Sequence, residues 1–351
     1  ILFSCISMIR VSQNNVTCVE DLPVVEYEMP VEPSKDEVVK LITLLFPEEE
    51  HQQCAFTQFT DGLTNRLFKI RYSNSETKRE LLIRVYGEKT ELLIDRDKEL
   101  SGMIALNQCG LAPPVYGKFT NGVCYGFISG TPFSVDDMKD NGKYPLVAEQ
   151  LAKFHSAVVP DMEKTPSLFN TLRKWQKEVS HLQLSPSQEE ILNGMYSDES
   201  FSNELLLLEE KMKDYKNWDI VFCHNDLLAG NLIYKDENVE FIDYEYGSYN
   251  YALFDIGNHF CEMMGPEVIV DKFPSKDLQI DWLKNYFHQK SDISYENLFE
   301  QTKIMVLAAN LYWGVWGLVQ HQISTNPDFD YQAYSQKKLK VYYQFKQEYG
   351  F

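Results

Sequence analysis

Apolar residues recur along this chain with two different periods, and the change of period divides it. Residues 1–35 carry Pro23, Pro30 and Pro33 and predict an irregular arm. Asp36–Phe46 spaces Val38, Val39, Leu41, Ile42 and Leu45 as one face of a helix, which Pro47 closes. Short β-type runs follow at Ala55–Phe59, Leu67–Tyr72 and Leu81–Tyr86, then a helix over Leu92–Cys109, ended by Gly110 and Pro113. Val115–Phe119 and Cys124–Ile128 flank Asn121-Gly122, a strong hairpin signal. Beyond Tyr144 helical spacing dominates. It predicts helices over Tyr144–Ala157, Ser167–His181, Ser187–Met195, Ser200–Lys216, Asp255–Met264, Leu278–Gln289, Glu296–Ile323 and Tyr331–Gln347. The expectation is an α+β chain of two lobes: a β-rich N-lobe over residues 36–130 and a mainly helical C-lobe over 131–351, joined near Phe127–Gly130.

Composition narrows the picture slightly. The 351 residues are 44% hydrophobic, enough for a large core, and the formal net charge of −19 argues against nucleic-acid binding. Seven cysteines are scattered without CxxC or Cys/His metal spacing, as expected of reduced thiols in a cytoplasmic protein. The apolar segment Ile1–Ile9 is too short to span a bilayer. Ile304–Asn326 is uncharged but contains Asn310, Gln320, His321 and Gln322, so it predicts a buried helix and no stable membrane insertion.

The chemistry concentrates in Val221–Glu262. His224, Asp226, Asn231 and Asp243 form the array HxDxxxxN, then eleven residues, then D. The β-type runs Leu232–Tyr234 and Val239–Ile242 lie between Asn231 and Asp243, separated by a turn-like Lys235-Asp236-Glu237-Asn238. A hairpin there brings Asn231 and Asp243 together as oxygen ligands for Mg²⁺, with Asp226 on the preceding loop as a base. That is the layout of a kinase catalytic loop and its metal-binding Asp, and it fits a two-lobed kinase-like outline. His224 reads as structural. Asp255 is expected to cap a helix or to anchor the loop from below. Glu245 either reaches the metal shell through water or lies exposed. Arg84, inside an apolar strand, needs a partner, and Glu99 on the next helix is the candidate. Such a strand cation holds phosphates in kinases, although a surface ion pair would read the same way. The turn Thr60–Asn65 either covers phosphates, with Thr64 and Asn65 as donors, or is a plain hairpin turn. Trp313 and Trp316 share a helix face, and Tyr334 lies on a later helix. They form either a core stripe or a cation–π cage, to which Glu262 would add a countercharge.

From about residue 36 onward the chain resembles the choline/ethanolamine kinase family. The motifs are CHNDLLAGNLIY (Cys223–Tyr234), FIDYEYGSYNYALFDIGNHF (Phe241–Phe260) and Trp-Gly-Val-Trp at 313–316. FTDGLTNRLF (Phe59–Phe68), IRVYGEKTELLIDRDKE (Ile83–Glu99) and NGVCYGFI (Asn121–Ile128) look most like ethanolamine kinases. Choline kinases usually carry further aromatics just after the position of Glu262, where this chain has Met263-Met264-Gly265-Pro266. Ala229-Gly230 departs from the bulkier or charged residues of relatives, at positions that are not ligands. The resemblance implies a protein-kinase-like fold and transfer of phosphate from ATP, with Mg²⁺, to ethanolamine. A choline or dual-specificity kinase is the alternative, and an inactive kinase-shaped binding protein a more distant one. By the same resemblance Asp226 is the base, Asn231 and Asp243 hold metal, and Arg84 with Glu99 binds phosphate beside Thr64 and Asn65. Phe127, Ile128 and Gly130 would meet adenine through the backbone. Glu262, Trp313, Trp316 and Tyr334 would hold the amino alcohol. A homodimer is compatible with the resemblance.

Overall fold

The computed structural model describes residues 16–30, 32–47, 53–59, 65–73, 78–87, 90, 93–160, 162–182, 195–216, 218–324 and 329–351. Thr64, the rest of the Thr60–Thr64 turn and nearly all of the helix expected at Ser187–Met195 lie outside them.

The N-terminal third is built on one sheet. Its elements are β1 (Val24–Val25), helix α1 (Lys35–Leu45), β2 (Gln53–Phe59), β3 (Asn65–Ser73), β4 (Lys78–Tyr86), helix α2 (Arg96–Gln108), β5 (Val115–Phe119) and β6 (Gly122–Gly126). The strand order is β1-β5-β6-β4-β3-β2. All pairs are antiparallel except β1 with β5. The arm is therefore less irregular than its prolines suggested. Val24 pairs with Lys118, and Asn121 of the Asn-Gly turn donates to the Met29 carbonyl (2.8 Å) and accepts from its N–H (2.9 Å).

Period-two alternation sorts the faces of β4. Leu81, Ile83 and Val85 bury against Val38, Leu41 and Ile42 of α1, a helix opened by a Ser34/Glu37 capping box. Leu82 and Arg84 point to the opposite face, toward the C-lobe. That alternation is why a cation sits inside a strand: its neighbours fill one core and Arg84 faces the cleft.

After the link, β7 (Thr131–Pro132) joins a small sheet, and α3 (Tyr144–His155), α4 (Leu168–Leu182) and α5 (Asp198–Met212) follow. Then come β8 (Ile220–Cys223), β9 (Leu232–Lys235), β10 (Asn238–Phe241), β11 (Ser248–Tyr251), α6 (Ala252–Glu262), α7 (Lys276–Tyr286), α8 (Tyr295–Ile323) and α9 (Tyr331–Tyr349). The expected hairpin is β9–β10, with Leu232 opposite Phe241 and Asp236 and Glu237 both at positive φ in its tight turn. The β8–β11 pair was not read from the sequence. Helix α8 is long and apolar enough to cross a membrane, yet 94% of its most apolar window is buried inside the protein. It is the core helix of the C-lobe, with α6 and α9 packed on it. A Cβ on Gly314 would meet Leu339 Cδ2 at 2.8 Å, and one on Gly317 would meet the Tyr331 carbonyl at 3.0 Å. The two glycines thus let α9 approach α8 closely.

Candidate active site

The loop between β8 and β9 is fixed from beneath by Asp255. This buried carboxylate accepts the N–H of His224 (2.7 Å) and of Asn225 (2.8 Å), and His155 Nε2 donates to it at 3.0 Å. Burial works against the Asp255 charge, but His155 and the His224 N–H outweigh it, so its pKa is lowered on balance. Of the roles expected for Asp255, the structure selects the anchor; Tyr251 occupies the N-cap of α6. His224 is structural too: its Nε2–H donates to the Ile242 carbonyl (2.9 Å), tying the loop to the end of the hairpin. His155, Cys223 and Asp255 bring donor atoms within 4.8 Å of one another, but each is spent on a hydrogen bond behind the loop.

On the cleft side the loop presents Asp226. Asn231 Nδ2 donates to the Asp226 carbonyl (2.8 Å) and to Asp226 Oδ2 (3.2 Å), which turns the Asn231 carbonyl oxygen the other way. Ile242 N–H donates to the Asn231 main-chain carbonyl at 3.0 Å, so the hairpin sets Asp243 beside Asn231, as its pattern predicted. Asp243 sits at φ +65°, a left-handed conformation that is strained for a non-glycine residue and common at functional positions. Burial, then the charges of Glu262, Asp243 and Glu245, raise the Asp226 pKa well above its ordinary value. An amide oxygen and a 38% exposed carboxylate side by side suit a hard divalent cation that keeps several waters and bridges to phosphate.

Arg84 closes this side of the cleft. It is buried, forms an ion pair with Glu99 of α2, and donates through Nη1 to Asp243 Oδ1 (2.9 Å). The expected strand–helix pair is present. Of the two places expected for Glu245, exposure is ruled out. It is buried, 3.9 Å from Arg84 and 3.4 Å from Arg96, and accepts from Asn65 Nδ2 at 2.8 Å. Asn65 is the first residue of β3, not a loop residue, and its amide is committed to Glu245 and Arg96. Arg96, which sequence reasoning passed over, bonds Glu99 (3.0 Å), Asn65 (3.1 Å) and Thr90 (2.8 Å) and lies 4.2 Å from the Tyr86 ring centroid. In the link, the Phe127 N–H is spent on the Glu80 carbonyl (3.1 Å) and its ring stacks on Phe59. That N–H is therefore not free to meet a nucleobase. A Cβ on Gly130 would meet Ile233 Cγ2 at 2.5 Å, so the link passes tightly over β9.

The other side is aromatic. Trp313 and Trp316 stack edge to face at 5.2 Å, and Tyr334 meets Trp316 edge-on at 6.0 Å. The Trp313 indole donates to Asn258 Oδ1 and the Trp316 indole to the Tyr246 hydroxyl, both at 2.7 Å. Asn258 in turn donates to the Asn225 carbonyl (3.1 Å), joining this wall to the catalytic loop. Glu262 ends α6 at 8% exposure, and Lys338 of α9 donates to its Oε1 at 2.8 Å. The charges of Glu262 and Asp226 both act on the Tyr334 hydroxyl, which places the three groups near one another. Tyr246, Asn258 and Lys338 were missed. Tyr246 carried a signal, since it lies three past Asp243 within the array itself.

A family model described as choline/ethanolamine kinase matches residues 56–343. The chain belongs to the choline/ethanolamine kinase family. It is 34% identical over 316 residues to mouse ethanolamine kinase 2, covering 88% of this chain and 80% of that one. To a probable ethanolamine kinase of Nematostella vectensis it is 32% identical over 342 residues, covering 93% and 98%. An ethanolamine kinase structure from Plasmodium vivax superposes with a TM-score of 0.78 at 24% identity, over 90% of each chain. A choline kinase structure from Cryptosporidium parvum gives 0.74 at 22% identity, over 90% of this chain and 96% of that one. These likenesses establish the protein-kinase-like fold expected from the periodicity. Membership of the choline/ethanolamine kinase family makes the chain a phosphotransferase.

Proposed function

We propose that the chain transfers the γ-phosphoryl group of ATP to the hydroxyl of ethanolamine. The observation that carries this reading is the position of Asp226. On one side of it stand Arg84, Asn231 and Asp243, a cation and oxygen ligands suited to a metal-bound triphosphate. On the other stand Glu262, Trp313, Trp316 and Tyr334, suited to a small ammonium. The relatives named ethanolamine kinase support the choice of amino alcohol.

Asp226 accepts the hydroxyl proton as the new bond from the substrate oxygen to phosphorus forms and the bond to ADP breaks. Arg84, kept charged by Glu99, Asp243 and Glu245, holds phosphate oxygens, and Glu99 with Arg96 keeps it in place. Asn231 and Asp243 would hold Mg²⁺, which when bound neutralises charge on the β- and γ-phosphates. Ile128 and Gly130 lie where the link would carry adenine. Glu262 accepts ammonium N–H donors, and the aromatic wall gives the cation a face to rest on. On this reading the product feeds the CDP-ethanolamine route to phosphatidylethanolamine, and the enzyme works in the cytoplasm.

An assay of ADP formation against ethanolamine, choline and an aminoglycoside tests the proposal. The expected outcome is the highest kcat/KM for ethanolamine. A clear preference for choline, or turnover indifferent to both alcohols, contradicts it.

A further inference from the structure

Lys338 is a charged side chain at 0% exposure inside the corner assigned to the substrate's ammonium. Its own ammonium lies 2.8 Å from Glu262 Oε1 and 5.4 Å from the centroid of the Tyr334 ring. It reaches that place because α9 packs closely on α8 at Gly314 and Gly317, with Ser335 Oγ donating to the Gly314 carbonyl at 2.6 Å. Burial alone would lower the Lys338 pKa, but Glu262 outweighs it and the net shift is upward, so Lys338 keeps its charge. Lysine has three donors and no acceptor, and a carboxylate has two oxygens. With Oε1 held by Lys338, Oε2 is the oxygen left to meet a second ammonium.

We propose that Lys338 is a positioning residue for amine recognition, holding Glu262 by one oxygen so that the other faces the substrate. It touches neither the hydroxyl nor phosphate, and it acts through Glu262. Glu262 sits at the C-terminal end of α6, where the helix dipole disfavours an anion. Without a cation beside it, a buried carboxylate there would turn toward solvent or take up a proton. The substrate would then have to order it on every turnover. The inference rests on the proposed function, since it takes the Glu262 corner as the ammonium site.

Steady-state kinetics with ethanolamine and MgATP varied separately test it. Lys338→Met is expected to raise the ethanolamine KM about tenfold, the worth of one charge-assisted hydrogen bond. The MgATP KM should stay within about twofold of wild type, because uniform damage would move both. Lys338→Arg should restore the ethanolamine KM. Lys338→Met leaves a buried carboxylate unpaired and can fail to fold, so Glu262→Gln and the double variant Glu262→Gln/Lys338→Met are measured as well. If Lys338 acts only through Glu262, those two have the same ethanolamine KM. A wild-type ethanolamine KM in Lys338→Met overturns the inference, and so does a further large rise from Glu262→Gln to the double variant. The underlying reading fails differently: wild-type enzyme would not turn over ethanolamine, or Glu262→Gln alone would leave its KM unchanged.

Discussion

The two sides of the cleft are built from the same parts with opposite sign. Toward the proposed nucleotide side, a buried cation, Arg84, would face the ligand, and Glu99, Asp243 and Glu245 hold it from around and behind. Toward the proposed amine side, a buried carboxylate, Glu262, would face the ligand and a cation, Lys338, holds it from behind. In each case the facing group is opposite in charge to its proposed ligand, and the backing group keeps it ionised and oriented. An isolated buried charge would be costly, so a binding charge in a dry cleft needs a partner of its own. The halves differ in redundancy. Arg84 has three carboxylates around it with Arg96 between them, whereas Lys338 is the cation that holds Glu262.

The largest effect should come where the halves meet. Asp226→Asn keeps the shape and the contact with Asn231 but cannot take the proton. Its kcat is expected to fall about 10²–10⁴-fold, with MgATP binding by calorimetry near wild type. A wild-type kcat would remove Asp226 from the role of base. Next, Arg84→Met leaves the buried Glu99 with Arg96 as its remaining cation and one oxygen unmet, and should cost about 1–3 kcal/mol of stability. Its MgATP KM should rise while the ethanolamine KM holds, and chemical denaturation read beside the kinetics would show both. Equal damage to the two KM values would break the comparison of halves.

A smaller effect acts on the loop common to both. The ring of His259 donates through Nδ1 to the Leu227 carbonyl (2.9 Å), and burial pushes its pKa down to about 4 from 6.5. The unfolded chain takes up that proton near pH 6.5 and the folded chain does not. Stability is therefore intact above pH 6.5 and drains as pH falls toward 4, by about 3 kcal/mol in all. Urea titrations of wild type and His259→Gln across that window should converge at low pH. Parallel curves would show that His259 is not the group responsible.

The nucleotide half could be read from the sequence because its signals are local. Asp226, Asn231 and Asp243 are placed by one loop and one hairpin, and Arg84 stands out as a charge within an apolar strand. What escaped depends on packing between distant segments. Arg96 and Glu245 look like surface charges until α2 and the residues after β10 are brought under the sheet. Lys338 lies in Gln336-Lys337-Lys338-Leu339-Lys340, which reads as a solvated face. A signal was available: Tyr331, Ser335, Lys338, Tyr342 and Phe345 follow the helical period and form the buried stripe of α9. The arm and the β8–β11 pair escaped for a related reason, since strands of two to four residues are too short to show a period.

The account's central claim is that a substrate cation is selected by a carboxylate held ready for it. The most direct measurement compares ethanolamine with 1-propanol, which has nearly the same shape and the same hydroxyl but carries a methyl group in place of the ammonium. The account predicts that kcat/KM for ethanolamine exceeds that for 1-propanol by about 10⁴-fold, because the uncharged alcohol leaves Glu262 without its donor. A ratio within about tenfold, no more than a change of apolar group would produce, would contradict it.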